Sequence, residues 1–152
     1  MSKFTAEELH FRTYERLAWV LRHLWEEQKD DPKREVRVHS RLFDVLVGNP
    51  RNLGKSLKGG GHKEHLVPCA LLRNRAFEMF WEGLDSNKDL TKVENDVAHM
   101  LEKYLAIAHI TKEEAHHLDH VLKFKTTMPP NWNWENGLVE ARLEYAGIKL
   151  TV

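Results

Sequence analysis

Three consecutive glycines, Gly59-Gly60-Gly61, with Pro68 shortly after them, interrupt the chain near its middle. Glycine lets the backbone take positive φ, and the residue before a proline is driven out of the helical region. The segment between them, His62-Lys63-Glu64-His65-Leu66-Val67, therefore reads as a loop entering a short strand. Glu64 and His65 stand at the far end of that strand. An acid beside an imidazole at a strand terminus looks like site chemistry. The plainer alternative is a surface loop whose Glu and His face water.

The bulk composition narrows the function classes. The chain has 152 residues, 41% of them hydrophobic and 30% charged, the length and balance of one globular domain with a sizeable core. Lys plus Arg and Asp plus Glu balance at 23 each. A neutral chain is not a generic nucleic-acid coat, which needs a strong basic excess, although a local basic groove is compatible with it. Cys69 is the single cysteine, so no internal disulfide forms and a reducing compartment is expected. Met1 leads into a charged helix without a signal-peptide pattern, and no apolar run reaches the length of a membrane span. These features predict a cytoplasmic protein without a membrane partner.

Helical periodicity dominates the flanks. Thr5-Ala6-Glu7-Glu8 has the form of a capping box. Leu9, Tyr14, Leu17, Ala18, Leu21, Leu24 and Trp25 then recur at helical spacing as far as Asp30-Asp31-Pro32. A second helix is expected over Arg34–Val47, with a short strand over Val36–His39 as the alternative. Arg51–Gly61 lacks periodicity and reads as a basic, glycine-bearing loop. Its Arg51, Lys55 and Lys58, with Lys63 just beyond and Arg73 on the next helix, are candidate phosphate contacts by charge and exposed amides. That next helix is expected to close at Gly83. Another capping box, Thr91-Lys92-Val93-Glu94, is expected to open the following one.

Tyr104–Ile110 is short, apolar and partly β-branched, and reads as a buried strand. Thr111-Lys112-Glu113-Glu114 is a third capping box, and the helix it opens carries His116-His117 and His120. His116 and His120 are i, i+4 neighbours, about 5–6 Å apart at Cβ and able to grip one ion. Glu113 lies one turn before His116 and His117. Met128-Pro129-Pro130-Asn131-Trp132 forces an extended loop, pinned by Trp132 and Trp134. A last helix is expected over Glu135–Ala146, stopped by Gly147, with an edge strand at Ile148–Val152.

A strand ending in Glu64-His65-Leu66-Val67-Pro68, a second strand ending in Ile110-Thr111, and a helix bearing His116 and His120 together resemble a ββα-metal finger. The chain resembles His-Me finger (HNH-type) endonucleases over about a third of its length, most nearly the colicin-type DNases. The resemblance implies His65 as the general base that activates water. It implies Glu64, His116 and His120 as ligands of a divalent ion (Mg, Mn, Ni or Zn), with Glu113, Glu114 and His117 as competitors. Two departures stand out. The connection from His65 to the second strand is long and helical, and no asparagine has a clear place to orient the histidine.

The expected fold is thus α+β, a mostly helical single domain (1–152) around a small ββα-metal-like finger. It has a helical part over 5–47, the finger over 59–122 with a helical insertion, and a C-terminal loop and helix over 123–152. Five or six helices are expected around a pair of strands. Two functions follow from different classes. One is a metal-dependent nuclease, a hydrolase of DNA or RNA phosphodiester bonds, with nucleic acid as its partner. The other is a non-enzymatic interaction protein, an inhibitor or adaptor with a protein partner, built on a degenerate finger.

Overall fold

The Thr5 hydroxyl accepts the Glu8 amide at 3.0 Å and so starts the first helix of the computed structural model, which describes residues 3–151. Helix α1 runs Ala6–Asp30 and buries one stripe, Tyr14, Leu17, Ala18, Leu21 and Trp25, at the 3.6-residue period. The chain divides into two compact units, Met1–Asn49 with Leu72–Lys103, and Pro50–Leu71 with Tyr104–Val152.

The first unit is helical. Besides α1 it holds α2 (Ser40–Leu46), most of α3 (Cys69–Asp85) and nearly all of α4 (Leu90–Tyr104). The Trp25 and Phe80 rings stack with centroids 5.3 Å apart, and Arg22 reaches Glu94 at 3.3 Å to tie α1 to α4. Three expectations change here. Helix α2 begins at Ser40 rather than Arg34, because the His39 ring nitrogen accepts the Arg41 amide at 3.0 Å and caps the helix there. Residues 35–39 ahead of it form no regular element. Helix α3 does not close at Gly83; it continues to Asp85, and Gly83 serves packing instead. A Cβ at that position would lie 2.6 Å from Val93 Cγ2. Helix α4 starts at Leu90, one residue before Thr91, because the Asp89 carboxylate accepts the Thr91 amide at 2.9 Å.

The second unit is built on a four-stranded mixed sheet, not on a pair of strands. Its strands are β1 (Arg51–Ser56), β2 (His62–His65), β3 (Ala106–Ile110) and β4 (Leu150–Thr151), in the order β2-β3-β1-β4. Strand β3 lies inside, antiparallel to β2 and parallel to β1, and β4 is antiparallel to β1. Where the sequence predicts a basic loop, β1 forms. Its pairing hides no apolar alternation, so periodicity does not reveal it. Strand β2 falls where the glycines and Pro68 predict it, and β3 starts at Ala106 because Tyr104 still belongs to α4.

Thr111 closes a full capping box with Glu114 and opens α5 (Lys112–His116), which runs on as a π-helical turn, His117–Val121. The last helix is shorter than expected. Helix α6 covers only Ala141–Ala146, stopped by Gly147 at φ 73. The Asn133 side chain accepts the Glu135 and Asn136 amides at 2.9 and 2.8 Å, which holds that stretch in a turn. Trp132 and Trp134 pack edge-on against Tyr104, and the Tyr104 hydroxyl donates to the Trp134 carbonyl. The expected helical character with a small sheet therefore stands. No helix among the described residues is long and apolar enough to cross a membrane.

Candidate functional site

Directly opposed residues in neighbouring strands share a sheet face. The pairing places Lys63 of β2 opposite His109 of β3, and His109 opposite Lys55 of β1. Beside this row a second one runs through His65, Ile107 and Asn52. Lys55 and Lys63 are exposed, and His65 and His109 are half-buried. The other face is the buried one, with Glu64, Ala108 and Ser56.

Lys55 joins the row through an irregularity. Between Asn52 and Lys55 the register slips, so three steps along β1 match two along β3, from Ile107 to His109. Without that extra residue the period of two would turn Lys55 to the opposite face. Gly54 takes φ 117 within the slip, and its amide donates to the Asn52 side chain at 2.9 Å. Gly60 crosses close by. A Cβ there would stand 3.0 Å from both His109 Cβ and Lys55 Cγ, a tight contact that glycine avoids where the turn lies against the row. The expectation that this loop offers its amides to phosphate changes in part. Those of Gly59 and Gly61 donate to the Ser56 and Ile110 carbonyls, both at 3.0 Å.

On the buried face, the Glu64 carboxylate is held from two sides. Arg142, 1% exposed on α6, donates to Glu64 Oε1 at 3.1 Å, and the His62 ring nitrogen lies 2.9 Å from Oε2. The same Arg142 nitrogen, Nη1, also donates to the main-chain carbonyls of His65 and Leu66, at 3.0 and 3.4 Å. Arg142 Nη2 stands 3.7 Å from Asp119 in the π-turn. One guanidinium thus links the end of β2, the turn after α5, and α6. A buried carboxylate needs such a partner, since an unpaired charge there costs several kcal/mol.

These distances test the ligand set that the resemblance implies. Both oxygens of Glu64 are engaged, one by Arg142 and the other by His62. His116 and His120 are exposed, with ring centroids 4.6 Å apart and planes tilted by 42°. Glu114 is taken by the Thr111 amide and by the Ser56 hydroxyl, at 3.0 and 2.9 Å. Glu113 and His117 instead line a cleft of about 480 Å³ with Lys58 and Gly147. Among the described residues no group of three or more His, Cys, Asp or Glu side chains is disposed to hold a metal ion. The set of Glu64, His116 and His120 therefore does not fit a three-ligand centre, and only the two imidazoles remain together.

The predicted phosphate-binding residues separate similarly. Lys55 and Lys63 share the face of His65. Arg51 lies at the start of β1 opposite Ala106, and Lys58 belongs to the cleft. Arg73 sits in the helical unit on α3, where its guanidinium donates to the Asn74 side chain at 2.7 and 3.1 Å. Sequence reasoning missed His109 and Arg142. Neither stands in a motif, and each gains its place only through long-range pairing. A scan against protein-family models, a search of curated proteins and a search of solved structures each find no match.

Proposed function

We propose that the sheet unit is a nuclease that hydrolyses phosphodiester bonds of DNA or RNA, with His65 as the base that takes a proton from the attacking water. The observation that carries this reading is the shared face of His65, Lys63 and Lys55. Half-buried His65 at a strand end lies on one sheet face with two exposed lysines. Imidazole titrates near neutrality and so serves as a base at cellular pH, and lysines neutralise the phosphate backbone that must approach it. The order of β2, β3 and the Thr111-capped helix supports the same reading, as the arrangement expected of a ββα finger.

Glu64 and Arg142 act here through position. By clamping the carbonyls of His65 and Leu66 and the carboxylate of Glu64, Arg142 fixes the strand end from which His65 projects. A divalent ion belongs to the reading as a requirement to be assayed. His116 and His120 are the side chains that would hold it, without Glu64.

Cleavage of plasmid DNA and of single-stranded RNA by the wild type and by His65→Ala, each with Mg²⁺, Mn²⁺, Ni²⁺ or Zn²⁺, tests the reading. A positioned base contributes about 10²–10⁴-fold in rate, so His65→Ala should lose most of the cleavage while keeping its circular dichroism. A second reading, an inhibitor or adaptor on a degenerate finger, is favoured by the engagement of Glu64 with Arg142. A wild type that cuts neither substrate with any of the four ions would select it.

A further inference from the structure

Phosphodiester hydrolysis moves two protons, and His65 accounts for one. The sheet register sets a second imidazole on the same face. His65 is paired with Ile107, and His109 lies two residues further along β3, paired with Lys63. His65 and His109 are therefore diagonal neighbours across an antiparallel pair, about 7–8 Å apart. Entering and leaving oxygens of a phosphoryl transfer lie in line on opposite sides of phosphorus. The base and the acid must then stand apart, separated by the width of the reacting phosphate and two hydrogen bonds. Diagonal placement on one pleated face meets that requirement, whereas adjacent or touching imidazoles would not.

We propose that His109 is the catalytic acid of the sheet face, which protonates the leaving oxygen, with Lys63 and Lys55 on either side of it holding the scissile phosphate. This rests on the reading of His65 as the base. In the step, a water oxygen bonds to phosphorus and gives its proton to neutral His65. The bond from phosphorus to the leaving nucleoside oxygen breaks, its electron pair stays on that oxygen, and protonated His109 supplies the proton. Nothing is oxidised or reduced, and the two imidazoles return to their starting states by exchange with solvent. The bulge at Gly54 and the close approach of Gly60 bear on the same point. One turns Lys55 into the row with His109, and the other lets the 57–61 turn lie against it without a side chain.

Leaving-group dependence tests the acid apart from the base. Kinetics are measured on two substrates, an oligonucleotide whose leaving group is a poor alkoxide, and bis(p-nitrophenyl) phosphate, whose nitrophenolate leaves without a proton. His109→Ala should lower kcat on the oligonucleotide by about 10²–10⁴-fold and change the nitrophenyl ester only a few-fold. His109→Asn, closer in shape, should show the same split and guards against a folding effect of alanine. His65→Ala should impair both substrates. An equal loss on the two substrates in both His109 variants, or no loss on the oligonucleotide, overturns the role of His109 while leaving His65 as the base. A wild type inert on both substrates overturns the nuclease reading and the acid with it, whereas a fully active His65→Ala overturns His65 as the base and the pairing with His109 that depends on it.

Discussion

Arg142 Nη1 donates to Glu64 Oε1 at 3.1 Å, and both residues are withdrawn from solvent, at 1% and 8% exposure. The pair joins α6 to β2 across 78 positions of sequence. Breaking such a pair on one side leaves the other charge uncompensated, at a cost of about 3–5 kcal/mol. Arg142→Ala and Glu64→Ala should each lower the denaturation midpoint of the sheet unit strongly. Glu64→Gln, which keeps the shape and one acceptor, should cost less. Urea unfolding followed by circular dichroism checks the order. A Glu64→Ala protein as stable as wild type would mean that the carboxylate is held for another purpose.

His116 and His120 make the opposite prediction. Both are exposed, so replacing them together by alanine should change stability by no more than about 0.5 kcal/mol. If they grip an ion, calorimetry with Ni²⁺ or Zn²⁺ should show binding to the wild type and its loss in the double variant. Coordination needs neutral imidazole, so the binding should fade on acidification. Equal affinity in the two proteins removes the pair from any metal site.

The lysines separate by face. Lys55→Ala with Lys63→Ala should weaken nucleic-acid binding and flatten its salt dependence. The log–log slope should fall by roughly 0.7–0.9 for each phosphate that is no longer neutralised. Lys58, in the cleft with Glu113 and His117, should alter the slope little when replaced alone. Fluorescence anisotropy over a salt series measures both. A Lys58 effect equal to that of the pair would point to the cleft rather than the sheet face.

Gly83 gives a test confined to the helical unit. Alanine favours an exposed helix interior by about 1 kcal/mol over glycine, yet a Cβ at this position meets Val93 Cγ2 at 2.6 Å. Overpacking of this kind costs about 1–3 kcal/mol, so Gly83→Ala should destabilise. In a Val93→Ala background the same change should become neutral or stabilising. A double-mutant cycle by thermal unfolding reads the coupling, and additive effects would show that the two helices give way there.

Much of this fold is legible where the signal is local. The stripe from Tyr14 to Trp25 yields α1, the punctuation by Gly59–Gly61 and Pro68 yields β2, and Thr111 with Glu114 yields the start of α5. Elements held by distant partners are not legible in this way. Strand β1 is polar and bulged, and only its pairing with β3 and β4 marks it as a strand. The stretch 135–140 has enough helical character to mislead, but Asn133 caps a turn there instead. For the candidate site, His65 and Glu64 are visible as a motif. The engagement of Glu64 depends on Arg142, far away in sequence, and the placing of His109 depends on register. Spacing along one strand carries neither.

The sheet order also governs when the protein can assemble. Strands β1 and β2 are close in sequence but are not partners of each other as strands; each waits for β3, which lies between them. Strand β3 is made some forty residues after β2, once the helices α3 and α4 have been synthesised. During synthesis two strand edges therefore stay open until Ala106–Ile110 emerges, and pairing over such separations is slow. Pulse-labelled hydrogen exchange during refolding should find the amides of α1 protected before those of β1 and β2, with the sheet closing in one late step as β3 is inserted between them.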